Sequence, residues 1–299
     1  MPVDVTVVVI THNSESVVGG LLDSIPAALD GLSADVVVVD NASTDATAKL
    51  VARRTDCRLV PSANVGYAAG FNLGVATGEP SPALLVLNPD VRLLPHSIRA
   101  MNDALVDPAV GIVAPLVLNE DGTVHRSLRR EPSLRRALGL SFIGPTFSEY
   151  ISERQAYEGV HDVPWALGAV LLVSRSCYDA LGGWDPSYFL YSEETDFCLR
   201  AGDLGLVTRF VPEAVAVHIG GGSGQSPWTH TLQTVNRVRL YARRHRRPAA
   251  AVYYGLTVLS ELSWVVRGNA TQSWTAVVAL LLPSRRPAEL GRPSGLLPR

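Results

Sequence analysis

Short, unbroken apolar runs alternate with stretches of helical spacing through the first third of this chain. Val5-Thr-Val-Val-Val-Ile10, Val36–Val39 and Leu84-Leu-Val-Leu87 are the runs, and residues 15–30, 45–54 and 96–106 are the helical stretches. A strand covered on both faces reads as a continuous apolar run, and strands separated by helices must cross over to pair in parallel. The pattern predicts an α/β fold, a mostly parallel sheet flanked by helices. Further strands are expected at 112–118, 169–174, 207–211 and 214–217, with the polar, Arg-rich span 119–162 as loop. From about 229 the pattern turns purely helical, at 229–246, 249–267 and 271–282, and ends in a Pro/Arg/Gly-rich tail. The chain therefore divides into a sheet-bearing unit, 1–225, and a helical extension, 226–299. With 47% apolar and 18% charged residues among 299, it has enough apolar surface for one large core, which excludes disorder over most of its length. Cys57, Cys177 and Cys198 form no CxxC pair, so neither a disulfide framework nor a structural zinc site is expected.

Ligands of open α/β sheets collect beyond the carboxyl ends of the strands. Here those ends read Thr11-His12-Asn13, Asp40-Asn41-Ala42-Ser43 and Asn88-Pro89-Asp90. A carboxylate such as Asp40 can accept the N3–H of a pyrimidine, or merely cap a turn. Asn64-Val-Gly66-Tyr-Ala-Ala-Gly70-Phe-Asn72 lacks the GxGxxG spacing of nicotinamide-dinucleotide sites, which removes the best support for an oxidoreductase. Its small residues would admit a ribose or diphosphate close to the backbone, or else pack a helix tightly. Asp90, after a buried strand, has the oxygen chemistry that a hard divalent cation wants. His218, ahead of the glycine loop 219–224, can be a metal ligand or a structural histidine, and the loop itself reads as a lid. Glu193 and Glu194 open an amphipathic stretch, where acidic groups complement the helix dipole and can also accept a proton from a hydroxyl. Trp165 with Gly168, and Trp184 with Asp185, could supply aromatic platforms for a sugar, although burial is the ordinary fate of tryptophan.

In this order the pieces resemble the family 2 inverting glycosyltransferases of the GT-A fold, particularly bacterial rhamnosyltransferases of cell-wall assembly. The resemblance runs over roughly residues 3–220, through Val9-Ile-Thr-His-Asn13, Val39-Asp-Asn-Ala-Ser-Thr-Asp45, Asn64 to Asn72, Leu87-Asn-Pro-Asp90, Gly182-Gly-Trp-Asp185, Ser192-Glu-Glu-Thr-Asp-Phe-Cys-Leu-Arg200 and His218. It implies a nucleotide-sugar donor, dTDP- or UDP-linked, held by Thr11, His12, Asn13, Glu15, Asp40, Asn64, Gly66, Gly70, Asn72, Asn88 and Asp90. It also implies a divalent metal, Mg2+ or Mn2+, on Asp90 and His218. The family's metal triplet usually begins with Asp, where this chain has Asn88. The family's base sits in a Glu-Asp pair, where this chain has Glu193-Glu194; Glu194 stands at the second position and is the expected base, with Glu193 the alternative. Trp165, Gly168, Trp184 and Asp185 are the expected acceptor contacts. The implied reaction transfers L-rhamnose from dTDP-rhamnose to polyprenyl-diphosphate-linked N-acetylglucosamine. Galactofuranosyl transfer from a UDP donor, or a nucleotide-sugar-binding module without catalysis, are the alternatives.

Charge is lopsided: residues 237–299 hold 11 of the 26 basic side chains but 2 of the 28 acidic ones. Arg237, Arg239, Arg243, Arg244, Arg246 and Arg247 precede apolar stretches bearing Tyr253, Tyr254, Trp264 and Trp274. Such a tail suits docking to an anionic cytoplasmic leaflet; an ordinary helical subdomain or a homodimer interface are the alternatives. Without an aromatic-basic recognition motif, nucleic acid is not an expected partner. No basic n-region precedes Val5 and no apolar run reaches the ~18–20 residues of a membrane span, so the expectation is a cytoplasmic chain, peripheral on the inner face of the membrane.

Overall fold

The computed structural model describes residues 3–220, 226–268 and 270–290. The strands are β1 (Val5–Thr11), β2 (Ala34–Asn41), β3 (Arg58–Ser62), β4 (Ala83–Leu87), β5 (Val91–Leu93), β6 (Val110–Asn119), β7 (Leu128–Arg129), β8 (His161–Val163), β9 (Trp165–Ala166), β10 (Val170–Ser174) and β11 (Val207–His218). The helices are α1 (Val18–Leu29), α2 (Thr47–Val51), α3 (Tyr67–Thr77), α4 (Ser97–Ala104), α5 (Leu134–Ala137), α6 (Arg175–Leu181), α7 (Glu193–Asp203), α8 (Pro227–Arg244), α9 (Arg247–Val266) and α10 (Ala270–Leu281). The central sheet runs β3-β2-β1-β4-β10-β6-β11-β5, with β8 on β11. β3, β2, β1 and β4 are mutually parallel, as is β6 with β11, while β10 runs against β4 and β6.

Every residue of β1 and β4 is buried, which is why both read as unbroken apolar runs. Alternate side chains feed two cores. Val5, Val7 and Val9 meet α1 and α4 on one face, while Val8 and Ile10 meet α3 on the other. A Cβ at Gly74 would collide with Val8, so the small residues of α3 let the helix lie directly on the sheet.

α8, α9 and α10 share a third core with Ala137 and with residues Phe189–Tyr191, so the helical block is packed onto the sheet-bearing unit. Arg243 pairs with Asp185 at 2.6 Å, Arg244 with Asp203 at 2.8 Å and Arg237 with Glu149 at 3.3 Å. Arg239 donates to the Ser187 carbonyl and to Asn236. Four of the six arginines expected to face lipid thus serve internal partners. α9 also differs from the sequence expectation, for its 20 residues are long and apolar enough to cross a membrane by length and composition. Glu261 within it interrupts the apolar run, yet is buried against α8 with His230 at 2.9 Å.

Candidate active site

The ends of β1 and β2 are tied together. The Asp40 carboxylate, 4% exposed, accepts hydrogen bonds from the Thr11 hydroxyl (2.9 Å), the Ser43 N–H (3.1 Å) and the Ser43 hydroxyl (2.5 Å). Asn13 accepts from the Thr44 N–H (2.8 Å) and Glu15 from the Ala46 N–H (2.8 Å), while His12 Nδ1 donates to the Asn41 carbonyl (2.7 Å). These contacts bring Thr11, His12, Asn13, Glu15 and Asp40 into one rigid cradle.

The next segment requires a correction. Asn72 was expected at the donor, but its Nδ2 donates to the Trp184 carbonyl (2.7 Å) and its Oδ1 accepts from the Trp184 N–H (3.0 Å) and the Tyr178 hydroxyl (2.9 Å). Gly70 likewise faces the sheet: a Cβ there would stand 3.2 Å from Ile10 and 3.3 Å from Asn41. Gly66, at φ +90°, caps α3 against the Phe189 backbone. Of this group Asn64 alone is exposed, on the loop before α3. Tight packing therefore accounts for Gly66 and Gly70, and a structural clamp for Asn72.

Asp90 and His218 meet because β5 and β11 pair antiparallel, with His218 opposite Val91. His218 Nε2 lies 3.2 Å from Asp90 Oδ2, and Asp90, 6% exposed, leaves Oδ1 buried without a hydrogen-bond partner. One carboxylate and one imidazole suit a divalent ion whose remaining ligands are phosphate oxygens and water. Among the described residues no group of three His, Cys, Asp or Glu is arranged around a metal position. Asn88 sits half-buried beside them, its N–H donating to the Ala169 carbonyl (2.9 Å). Residues 221–224 of the loop read as a lid lie outside the described residues.

Glu193 and Glu194 begin α7 and are 4% and 8% exposed, each with Oε2 buried and unbonded. Burial, then the adjacent Glu194 carboxylate, pushes Glu193 well above the ordinary carboxylate range. Burial raises Glu194 too, but its own and Thr195's backbone N–H, the Arg129 guanidinium and the Gly168 N–H pull it back. Tyr67 ties the halves of the site together. Its hydroxyl donates to the Gly168 carbonyl (3.1 Å), and burial followed by the charges of Glu193, Glu194 and Asp90 raises its phenol. Gly168 is small because a Cβ would stand 3.1 Å from that of Glu194.

Trp165 lines the cavity of about 90 Å3 on which Glu194 opens, and its Nε1 donates to the Arg130 carbonyl (3.0 Å). Trp184 is corrected: 1% exposed and ringed by Phe71, Phe197 and Tyr67, it belongs to the core and offers no platform. The Asp185 carboxylate accepts from the Ser187 N–H (2.9 Å) and pairs with Arg243. Tyr67 is not singled out by the sequence, whereas Arg129 lies in the segment Arg126–Arg136, which reads there as an acceptor-diphosphate clamp or a solvated loop.

A mostly parallel sheet with acidic groups gathered at its strand ends, closed by a late helix that begins with carboxylates, is the GT-A architecture of nucleotide-sugar glycosyltransferases. Residues 6–170 match glycosyl transferase family 2, and the chain belongs to that family and is a glycosyltransferase. It is 33% identical over 277 residues to the N-acetylglucosaminyl-diphospho-decaprenol L-rhamnosyltransferase of Mycobacterium tuberculosis, covering 84% of this chain and 86% of that one. Among solved structures it is similar in fold to GalNAc-T7 crystallised with UDP, GalNAc and Mn2+ (TM-score 0.62, 14% identity, 93% of this chain and 56% of that). It is similar also to the Pyrobaculum calidifontis mannosyltransferase PcManGT in complex with GDP-Man and Mn2+ (TM-score 0.55, 19% identity, 95% and 83%).

Proposed function

We propose that this glycosyltransferase moves L-rhamnose from dTDP-rhamnose to polyprenyl-diphosphate-linked N-acetylglucosamine, with inversion. The observation that carries this reading is the similarity to the mycobacterial rhamnosyltransferase over most of both chains. Glu194 takes the proton of the acceptor hydroxyl. The oxygen then bonds to the anomeric carbon as the bond to the nucleotide diphosphate breaks on the opposite face, the electron pair leaving with the diphosphate. Asp90 and His218 would hold a divalent ion, which supplies charge neutralisation to the leaving diphosphate. The cradle of Thr11, His12, Asn13, Glu15 and Asp40 is our donor-base site. Trp165 and Gly168 keep their place beside the acceptor.

Two donors decide the reading. Incubation with polyprenyl-diphosphate-linked N-acetylglucosamine and a divalent metal should give product with dTDP-rhamnose and far less with UDP-galactofuranose. The reverse order would reassign the donor, and no transfer with either under any divalent metal would favour a binding module. Asp90→Ala should lower metal-dependent donor affinity about tenfold or more, roughly 1.4 kcal/mol per decade. Calorimetry with and without Mn2+ reads this, and an unchanged metal response removes Asp90 from the site.

We also propose peripheral docking at the cytoplasmic leaflet. With the arginines of α8 engaged internally, the support comes from exposed Phe142, Ile143, Trp264 and Val266, with Arg267 lying 5.5 Å from the Phe142 ring and 5.4 Å from that of Trp264. An apolar tip beside a cation suits an anionic interface. Phe142→Asp combined with Val266→Asp should cut co-sedimentation with anionic vesicles about tenfold, whereas Arg243→Gln should not. Equal loss in both variants would return the docking role to the α8 arginines.

A further inference from the structure

Arg129 is 8% exposed, on the two-residue strand β7, paired with β9 so that it stands opposite Trp165. Its guanidinium lies 3.9 Å from the Tyr150 ring centre and 5.7 Å from that of Trp165, and NH1 donates to the Arg126 and Leu128 carbonyls. Among the described residues no carboxylate reaches it at ion-pair distance; Glu149, which lines the same cavity, pairs with Arg237. A cation that is buried without a counter-ion is costly, so its charge must be answered nearby. The cavity of about 90 Å3 that Arg129 lines is also lined by Glu194, and Glu193 does not line it. That volume holds a hydroxyl group with room for a water.

We propose that Arg129 is the positioning residue that makes Glu194, and not its neighbour Glu193, the ionised proton acceptor, the two lining one cavity that receives the acceptor hydroxyl. The inference rests on Glu194 being the base. The groups around Glu194 fit it. α7 contributes Glu193 and Cys198, α3 the neutral phenol of Tyr67, and the loop before α7 Tyr191, while α8 brings Arg237 already satisfied by Glu149, and Tyr150 covers the far side of Arg129. Among the described residues Arg129 is therefore the one cation lining the cavity that is not already held by a carboxylate.

The test is the pH dependence of kcat in wild type, Arg129→Met, Arg129→Gln and Arg129→Lys. Loss of the charge leaves burial unopposed, so the acid limb should move up by about one pH unit in the Met and Gln variants. That is about a tenfold greater loss at the acid end than on the plateau, with donor KM unchanged. Arg129→Lys should restore the limb, and Glu193→Gln should leave it in place. A loss equal at all pH values, or no recovery with Lys, overturns the proposal. Infrared titration adds a check that needs no change at Arg129: the carboxylate band missing from Glu194→Gln should appear at lower pH than the band missing from Glu193→Gln, and the reverse order overturns the proposal. If Glu194→Gln keeps full turnover, the base assignment fails by itself, a result separate from any shift of the limb.

Discussion

Glu194→Gln is expected to lower turnover by about 10²–10⁴, the usual worth of a positioned general base, while donor affinity stays near wild type. Gln preserves the shape and the contacts to the helix N–H groups but cannot take a proton. The carboxylate is needed ionised, and burial lifts Glu194 above the ordinary carboxylate range. Activity should therefore be full at alkaline pH and fall as pH drops through that raised value. Glu193, raised by burial and by the adjacent Glu194 carboxylate, does not line the cavity, so Glu193→Gln should cost far less. Single-turnover rates of both variants, with donor binding measured alongside, check this. A nearly active Glu194→Gln would move the proton acceptor elsewhere.

Trp184→Ala should destabilise the fold by about 3–5 kcal/mol, the range for deleting a fully buried large aromatic. The indole lies 5.1 Å from the Phe71 ring, 5.8 Å from Phe197 and 6.1 Å from Tyr67, and its backbone is clamped by the Asn72 amide. Its loss would leave a cavity among rings that hold α3 against α7. The denaturant midpoint should fall sharply, with the acceptor KM of the protein that remains folded close to normal. A raised acceptor KM at unchanged stability would restore the sugar-platform reading.

What was legible in the sequence follows from which forces are local. β1, β2 and β4 announce themselves because two-faced burial demands apolar side chains at consecutive positions. β11 reads as two strands because Pro212 and Glu213 break the apolar run, yet the chain continues through them with a shift of register between Val211 and Val215. β3 escapes notice as an edge strand containing Pro61, half-exposed along its length. The meeting of Asp90 with His218 was expected from the family resemblance, and the β5–β11 pairing accounts for it. The place of Arg129 could not be read, because Tyr150, Trp165 and Glu194 reach it only through tertiary pairing. For Trp184, Asp185 and the α8 arginines the residue types were plain but not the face each turns to. A tryptophan after two glycines, or an arginine-rich helix, carries no local sign of whether solvent or a partner lies beyond.

The connection into α7 bears on how such an enzyme could change. Tyr191 and Ser192 take left-handed backbone angles, φ +69° and +76°, just before the two glutamates, a conformation that side-chain-bearing residues rarely adopt unaided. Asn236 of α8, fully buried, holds the Leu190 and Tyr191 carbonyls through its Nδ2 at 2.9 and 3.0 Å. The C-terminal helices thus act as a splint on the bend that leads into Glu193 and Glu194. A graft that exchanged them for another anchor would have to rebuild that amide grip, or the placement of Glu193 and Glu194 at the start of α7 would be lost.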